Sequence, residues 1–292
     1  AGYKGRCRDM KIAVIPNLTR EKAAPITRSL LTALAALGVK TLLSEQYRGV
    51  FPEANGAFLP EAALFAEADI IMPVGGDGSV IRAGKRAAVN GKRILGVNAG
   101  NLAYLCGLDP TEFGLLPRLL SGEFTIQRRM LLQADIYKGE ALASTELCLN
   151  DIVFCRGQKI GLVDLSVQAD EKPIADYIAD GVIFATPTGS TAYSFSAGGP
   201  VIEPDMKCIL LTPICPHALT SRQVVFTEDA VLSAHVLPES TLKCYMTVDG
   251  QNHIPISSDD IITVRKAPKA LQLIILKEKN FYTLLNEKLK EF

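Results

Sequence analysis

The chain has 292 residues, a formal net charge of zero and an apolar fraction of 48%. That is enough for one large or two ordinary domains with a sizeable core, and it excludes global disorder. The charge balance argues against a general nucleic-acid or membrane-surface binder, and no apolar run of about 18 residues suggests a span. The 7 cysteines are scattered without a C-x-x-C pair, which reads as free thiols in a reducing, cytoplasmic protein. Residues 1–9 are polar and lack the apolar centre of a signal peptide, so they read as an extension before Met10.

In chain order, the β-branched run Lys11 to Pro16 predicts a buried first strand. Asn17 and Thr19 are candidate caps for a helix to about Leu37, with Leu30, Leu31, Leu34 and Leu37 on one face and Gly38 as its stop. Pro25 fits near the first turn, which allows a later start. Val39 to Leu43 reads as a strand, Arg48 to Leu59 as a surface loop, Pro60 to Ala66 as a short helix and Ile70 to Val74 as a third strand. Next come the turn Gly75-Gly76-Asp77-Gly78-Ser79, a helix from Val80 to Ala88 and a fourth strand from Arg93 to Val97. Alternating strands and helices predict a doubly wound α/β domain with a parallel sheet, whose ligands sit beyond the carboxyl ends of the strands. The Asp77 turn and Asn98-Ala99-Gly100-Asn101 both fall at that edge.

From about Phe124 the pattern turns β-rich. Segments such as Gln127 to Tyr137, Leu147 to Phe154, Leu162 to Ala169, Gly181 to Ala185, Cys208 to Leu211, Val224 to Phe226, Ala230 to Leu237, Cys244 to Val248 and Ile261 to Arg265 predict a second domain of antiparallel sheet. The tail reads as a strand, Leu271 to Leu276, and an amphipathic helix, Phe281 to Leu289, packing back on the first domain. The predicted domains are therefore 1–118 with 268–292 returning, and 119–267.

A strand feeding a glycine turn that opens a helix is a phosphate-binding arrangement, because glycine allows close backbone approach and the helix start offers N–H groups. Asp77 in such a turn repels an anion; it suits proton or metal handling, or it caps the helix. The run Thr186-Pro187-Thr188-Gly189-Ser190-Thr191-Ala192-Tyr193-Ser194-Phe195-Ser196 suits a loop approaching a polar ligand with Tyr193 as a stacking face, or a plain surface loop. Asn150-Asp151 pairs an amide with a carboxylate, fit for a ribose diol, a base edge or the start of a turn. Thr212-Pro213-Ile214-Cys215-Pro216-His217 reads as a rigid structural loop, and Asp249-Gly250-Gln251 as a hairpin turn. Neither G-x-x-x-x-G-K-[ST] nor G-x-G-x-x-G is present, so neither a Walker site nor an ordinary dinucleotide fold is indicated.

Taken together, and in this order along the chain, these stretches resemble the NAD kinase family. Its G-G-D-G-[ST] turn, G-[IV]-N-x-G segment, Asn-Glu pair, T-P-T-G-S-T-A-Y stretch, T-P-[IL]-x-P-H and D-G-Q all have counterparts here. The departures are Ser79 for the commoner Thr, Asp151 for Glu, Ala103-Tyr104 for Gly-Phe, and Ile178 where many members carry a basic residue. The resemblance implies a Rossmann-like N-terminal domain, a β-sandwich-like C-terminal domain, and transfer of the γ-phosphoryl of ATP to the adenosine ribose 2′-hydroxyl of NAD. By motif position it implies Asp77 as general base. It places Gly75, Gly76, Gly78 and Ser79 on the ATP phosphates, and Asp77, Gly78, Arg82, Asn150, Asp151, Asp180, Thr191, Ala192, Tyr193, Ser194, Ser196 and Gln251 on NAD. It further implies Mg²⁺ or another divalent cation arriving with ATP and no resident metal, ATP or polyphosphate as donor, and a homodimer or homotetramer. The alternative is a lipid or sugar kinase sharing the glycine turn.

Overall fold

The computed structural model describes residues 10–100, 102–158, 161–218, 221–240, 242–278 and 280–290, without the side chains of residues 288 and 289. Segment 1–9, Asn101 and the Leu289 side chain, all singled out above, lie outside the described residues. The chain forms two compact units: one ends at Arg128 and resumes at Leu271, and the other runs from Arg129 to Ala270.

The first unit is built from β1 (Lys11–Pro16), α1 (Ala23–Ala36), β2 (Lys40–Ser44), β3 (Gly56–Leu59), α2 (Glu61–Glu67), β4 (Ile70–Gly75), α3 (Asp77–Val89), β5 (Arg93–Ile94), β6 (Gly96–Asn98), β7 (Cys106–Leu108), α4 (Leu116–Ser121) and β8 (Thr125–Arg129). Strands β3, β2, β1, β4 and β5 lie side by side in that order, all parallel, with β6 continuing beside β4. The order reverses at β1 and β4, which are registered from Ile12 opposite Ile70 to Pro16 opposite Val74. In such sheets the crevice beyond the strand ends at that reversal is where ligands sit, and here it receives the glycine turn. The core is Ile12, Val14, Met72, Val74, Val97 and the α1 stripe Leu30, Leu31 and Leu34.

Several expectations shift in this unit. Helix α1 begins at Ala23, with Lys22 before it and no side-chain cap. Asn17 is committed elsewhere: its Oδ1 accepts from Thr19 Oγ1 at 2.7 Å, and its Nδ2 donates to Ser79 Oγ at 3.2 Å. The end of the expected loop 48–59 is strand β3, an edge strand paired to β2. It is only four residues long, exposed to half-buried and without alternation, so nothing in its pattern marks it as a strand. Strand β7 and helix α4, in a stretch with no clear periodicity, are also additions.

The second unit contains β9 (Leu132–Lys138), β10 (Ala141–Cys148), β11 (Asp151–Arg156), β12 (Val163–Ala169), β13 (Lys172–Ala179), β14 (Gly181–Ala185), α5 (Tyr193–Ser196), β15 (Cys208–Ile214), β16 (Val224–Thr227), β17 (Leu232–Val236), β18 (Cys244–Val248), β19 (Gln251–Ile256) and β20 (Asp260–Lys266). They form two antiparallel sheets, β10-β9-β20-β17-β12-β13 and β16-β15-β14-β11-β18-β19. The alternation along β12, with Val163, Leu165, Val167 and Ala169 buried, sends one face into a core shared with Phe154 and Phe184 of the other sheet. These two rings meet edge to face at 5.7 Å. Strands β13 and β19, both at sheet edges and each holding a proline, were not legible in the sequence. The chain then returns to the first unit as β21 (Leu271–Ile275), parallel to β5, and α6 (Phe281–Leu289).

Candidate active site

In the first unit, β4 delivers the chain to the glycine turn and α3 leaves it three residues earlier than the sequence suggests, so Asp77 is the first helical residue. Gly76 occupies the cap position and no side chain caps the helix, so capping is not what Asp77 does. Its carboxylate instead accepts two backbone N–H groups from a neighbouring loop, Leu105 N to Oδ1 at 2.8 Å and Tyr104 N to Oδ2 at 3.1 Å. Both oxygens are thereby pinned in a half-buried position. Burial, and then the Asp77 charge, raise the Tyr104 phenol above its ordinary pKa. Tyr104 also packs on Phe281 of α6, with ring centroids 6.3 Å apart, so the returning helix braces the loop that holds Asp77.

Gly75 is required by close approach: a methyl placed there would sit 2.2 Å from Ser79 Oγ and 2.8 Å from its Cβ. Buried Ser79 therefore supports the turn from below, tied to Asn17, while Gly78 is exposed with nothing within 4 Å of a methyl. Arg82 is exposed one turn into α3. On the next turn Asn98, 8% exposed, accepts from Gly100 N at 3.0 Å through Oδ1 and donates to Asp109 Oδ1 at 3.0 Å. This second turn lies beside the first, since Ala99 N donates to Gly75 O at 2.7 Å.

The second unit assembles another group of expected residues around Asp249, which had been singled out only as part of a hairpin. Asp249 adopts a left-handed backbone (φ 51°) and directs its carboxylate at three successive amides. Asn150 N donates at 2.7 Å, Leu149 N at 3.1 Å and Asp151 N at 3.4 Å. This clamp fixes the Asn150–Asp151 pair at the start of β11. Asp151 is buried, and its carboxyl is pushed up to about 7 by desolvation first and the nearby Asp249 charge second, with the Tyr193 backbone N–H opposing. Asp151 is thus a proton-bearing donor as well as an acceptor near neutral pH.

The hydroxyl-rich loop serves two ends. Thr186 Oγ1 donates to Leu149 O at 2.5 Å, and Ser190 Oγ donates to Pro187 O at 2.8 Å and accepts from Ile202 N at 3.0 Å. Ser194, expected to contact a ligand, is fully buried: its Oγ shares a 2.8 Å bond with Thr212 Oγ1 and its carbonyl accepts from Gly199 N at 2.8 Å. Exposed instead are Tyr193 at 46%, its neighbour Phe195, and Ser196. Thr191, Ala192 and Gln251 are half-buried. Asp180 donates its own N–H to Ile214 O at 3.0 Å, and its carboxylate is held by Arg156 Nε at 2.7 Å, a partner no motif suggested. Thr212, Pro213 and Ile214 of the expected structural loop are instead the end of strand β15, paired to β14, and only the residues after them leave the sheet, with His217 N donating to Ile178 O at 2.8 Å.

Among the described residues no group of three or more His, Cys, Asp or Glu could hold a metal ion, and no helix is long and apolar enough to cross a membrane. A divalent cation that enters with a nucleotide triphosphate fits this donor set, since Mg²⁺ keeps several waters and takes its remaining ligands mainly from phosphates.

Residues 12–124 match the family model for the ATP-NAD kinase N-terminal domain, and residues 149–276 that for the ATP-NAD kinase C-terminal domain. An NAD kinase of Caldanaerobacter subterraneus subsp. tengcongensis is 36% identical over 283 residues, covering 96% of this chain and 99% of the relative. One from Symbiobacterium thermophilum is 37% identical over 280 residues, covering 96% and 98%. Among solved structures, yeast NADH kinase complexed with NADH superposes with a TM-score of 0.87 at 22% identity, covering 97% of this chain and 88% of that one. An NAD kinase from Archaeoglobus fulgidus in complex with ATP gives 0.73 at 24% identity, covering 97% and 100%. At those identities the structural likeness speaks for the fold.

Proposed function

The chain belongs to the NAD kinase family, and on that premise we propose that it phosphorylates NAD, moving the γ-phosphoryl group of ATP to the 2′-hydroxyl of the adenosine ribose to give NADP. The observation that carries the chemistry is Asp77, a carboxylate fixed by two amides at the mouth of a glycine turn. A ribose hydroxyl loses its proton as it attacks phosphorus, and in this reading Asp77 receives it. A carboxylate is a weaker base than an alkoxide, so the proton arrives late, as the phosphoryl transfer completes.

The remaining roles follow the chemistry of each side chain. Gly75, Gly76 and Gly78 allow the donor phosphates close to the backbone, with Ser79 supporting the turn, and Arg82 adds positive charge. Asn150 and Asp151 bind NAD hydroxyls, held in place by Asp249. Tyr193 stacks on the adenosine within Thr191, Ala192 and Ser196, Asp180 takes the nicotinamide end, and Gln251 completes the set. Mg²⁺ or another divalent cation accompanies ATP and supplies charge neutralisation when bound. Polyphosphate is a second candidate donor, and we place a homodimer or homotetramer in the cytoplasm. A lipid or sugar kinase would share the turn but has no use for the match over residues 149–276.

The test is NADP formation from NAD with ATP or polyphosphate, read by an NADP-specific dehydrogenase, with Asp77→Asn as control. Absence of NADP with either donor at saturating substrate overturns the reading.

A further inference from the structure

Arg20 belongs to none of the motifs, yet it occupies the glycine turn. It lies four positions past the end of β1, the strand paired with β4, on the same edge of the sheet as Asp77. Its guanidinium lies over two glycines at once. A methyl built on Gly76 would sit 3.5 Å from Nη2, and one built on Gly100 would sit 3.3 Å from Nη1. The planar group therefore spans the two neighbouring turns that Ala99 N and Gly75 O tie together.

Arg20 is exposed, and while its backbone bonds to Asn17 O and Ala23 N, its guanidinium makes neither an ion pair nor a hydrogen bond among the described residues. Arg28, Arg86, Arg156 and Arg265 are each spent on a carboxylate. The N–H groups of Gly76 and Gly78 are also unspent among the described residues. An unspent cationic fork and two unspent amides thus border one turn that also carries Asp77. Guanidinium matches phosphate oxygens bidentately, and an arginine with no internal partner loses no folded-state contact when it takes one.

We propose that Arg20 is a catalytic residue of the phosphoryl transfer, holding the terminal phosphates of the donor against the Gly76–Gly78 turn. This rests on the kinase reading of the same turn. The 2′-oxygen forms its bond to the γ-phosphorus while the bond from that phosphorus to the β–γ bridging oxygen breaks. The hydroxyl proton passes to Asp77, and ADP leaves with the electron pair. Arg20 exchanges no proton; it offsets the charge that gathers on the bridging and equatorial oxygens.

The experiment compares the wild type, Arg20→Ala and Arg20→Lys by steady-state NADP formation, and by calorimetric titration with inorganic triphosphate and, separately, NAD. Arg20→Ala is expected to lower turnover about 100-fold and to weaken triphosphate binding about 10-fold or more, as removal of a charge-stabilising donor does. NAD binding and melting temperature should stay put. Added guanidinium ion should restore part of the Arg20→Ala activity without raising that of the wild type, and Arg20→Lys should fall between, having the charge without the fork. Turnover and triphosphate affinity within about 3-fold of wild type in Arg20→Ala would overturn the proposal. So would a loss confined to NAD binding, which would place Arg20 on the acceptor. If the wild type makes no NADP, the kinase reading fails by itself, while the triphosphate titration still decides whether Arg20 holds phosphate.

Discussion

Replacing Asp151 by Asn should change the pH dependence of stability in a way that isolates one buried carboxyl. Asp151 is 5% exposed and its carboxyl is raised from 3.8 to about 7, by desolvation and then by Asp249. A raised carboxyl pKa means that the folded state binds a proton the unfolded chain has already released. The associated stability is complete below the unfolded value and is lost as pH rises through the folded one. At about 1.4 kcal/mol per pH unit, the rise corresponds to about 4 kcal/mol lost between about pH 4 and pH 7. Asparagine resembles the protonated acid and does not titrate. Urea unfolding of ligand-free wild type and Asp151→Asn should therefore give similar stabilities near pH 4. By about pH 8 the variant should lead by up to about 4 kcal/mol. Titrating groups common to both proteins and remote from Asp151 cancel in the difference. A difference that stays flat from about pH 4 to 8 would refute the reasoning, because it would mean that Asp151 ionises at no cost in the folded state.

Three further outcomes are expected. Asp77→Asn should lower turnover by about 10²–10⁴ with much less effect on NAD affinity. It should also cost about 1–3 kcal/mol of stability, because the amide NH₂ now faces either Tyr104 N–H or Leu105 N–H; normal turnover in a folded variant would remove Asp77 as the base. Tyr193→Phe should be mild and Tyr193→Ala severe for NAD binding by calorimetry, with little change in melting temperature because the ring is 46% exposed; equal damage from both would point to the phenol oxygen. Gly189→Ala would put a methyl 2.0 Å from Asn150 O and 2.7 Å from its Cα. That backbone must move, so the KM for NAD should rise together with a stability loss of about 1–3 kcal/mol, and an unchanged KM would detach Asn150 from NAD.

The elements legible in the sequence are those whose signal is local. A short apolar run rich in β-branched residues and ended by a turn reads as a buried strand, so β1 and β4 were readable within a residue. The leucine stripe of α1 and the alternation of β12 were readable for the same reason. The order and spacing of the motifs carried the family, because a glycine turn, an amide–acid pair and a hydroxyl-rich run are chemistry written in residue types. Edge strands β3, β13 and β19 were not readable, because a half-exposed strand has no pattern that distinguishes it from a loop. Long-range partnership decided the rest. Whether Asp77 caps a helix or presents a fixed carboxylate depended on the amides of Tyr104 and Leu105, 27 and 28 positions away. Asp249 became a clamp only when a positive φ aimed it at amides about 100 positions earlier. Ser194 Oγ found a partner in Thr212, 18 positions on, and Arg20 reached the glycine turn only because β1 and β4 are neighbours in the sheet. A residue type states what a side chain can donate, accept or neutralise; which partner takes it, and whether it remains available to a ligand, depends on distances between parts of the chain that sequence separation does not encode.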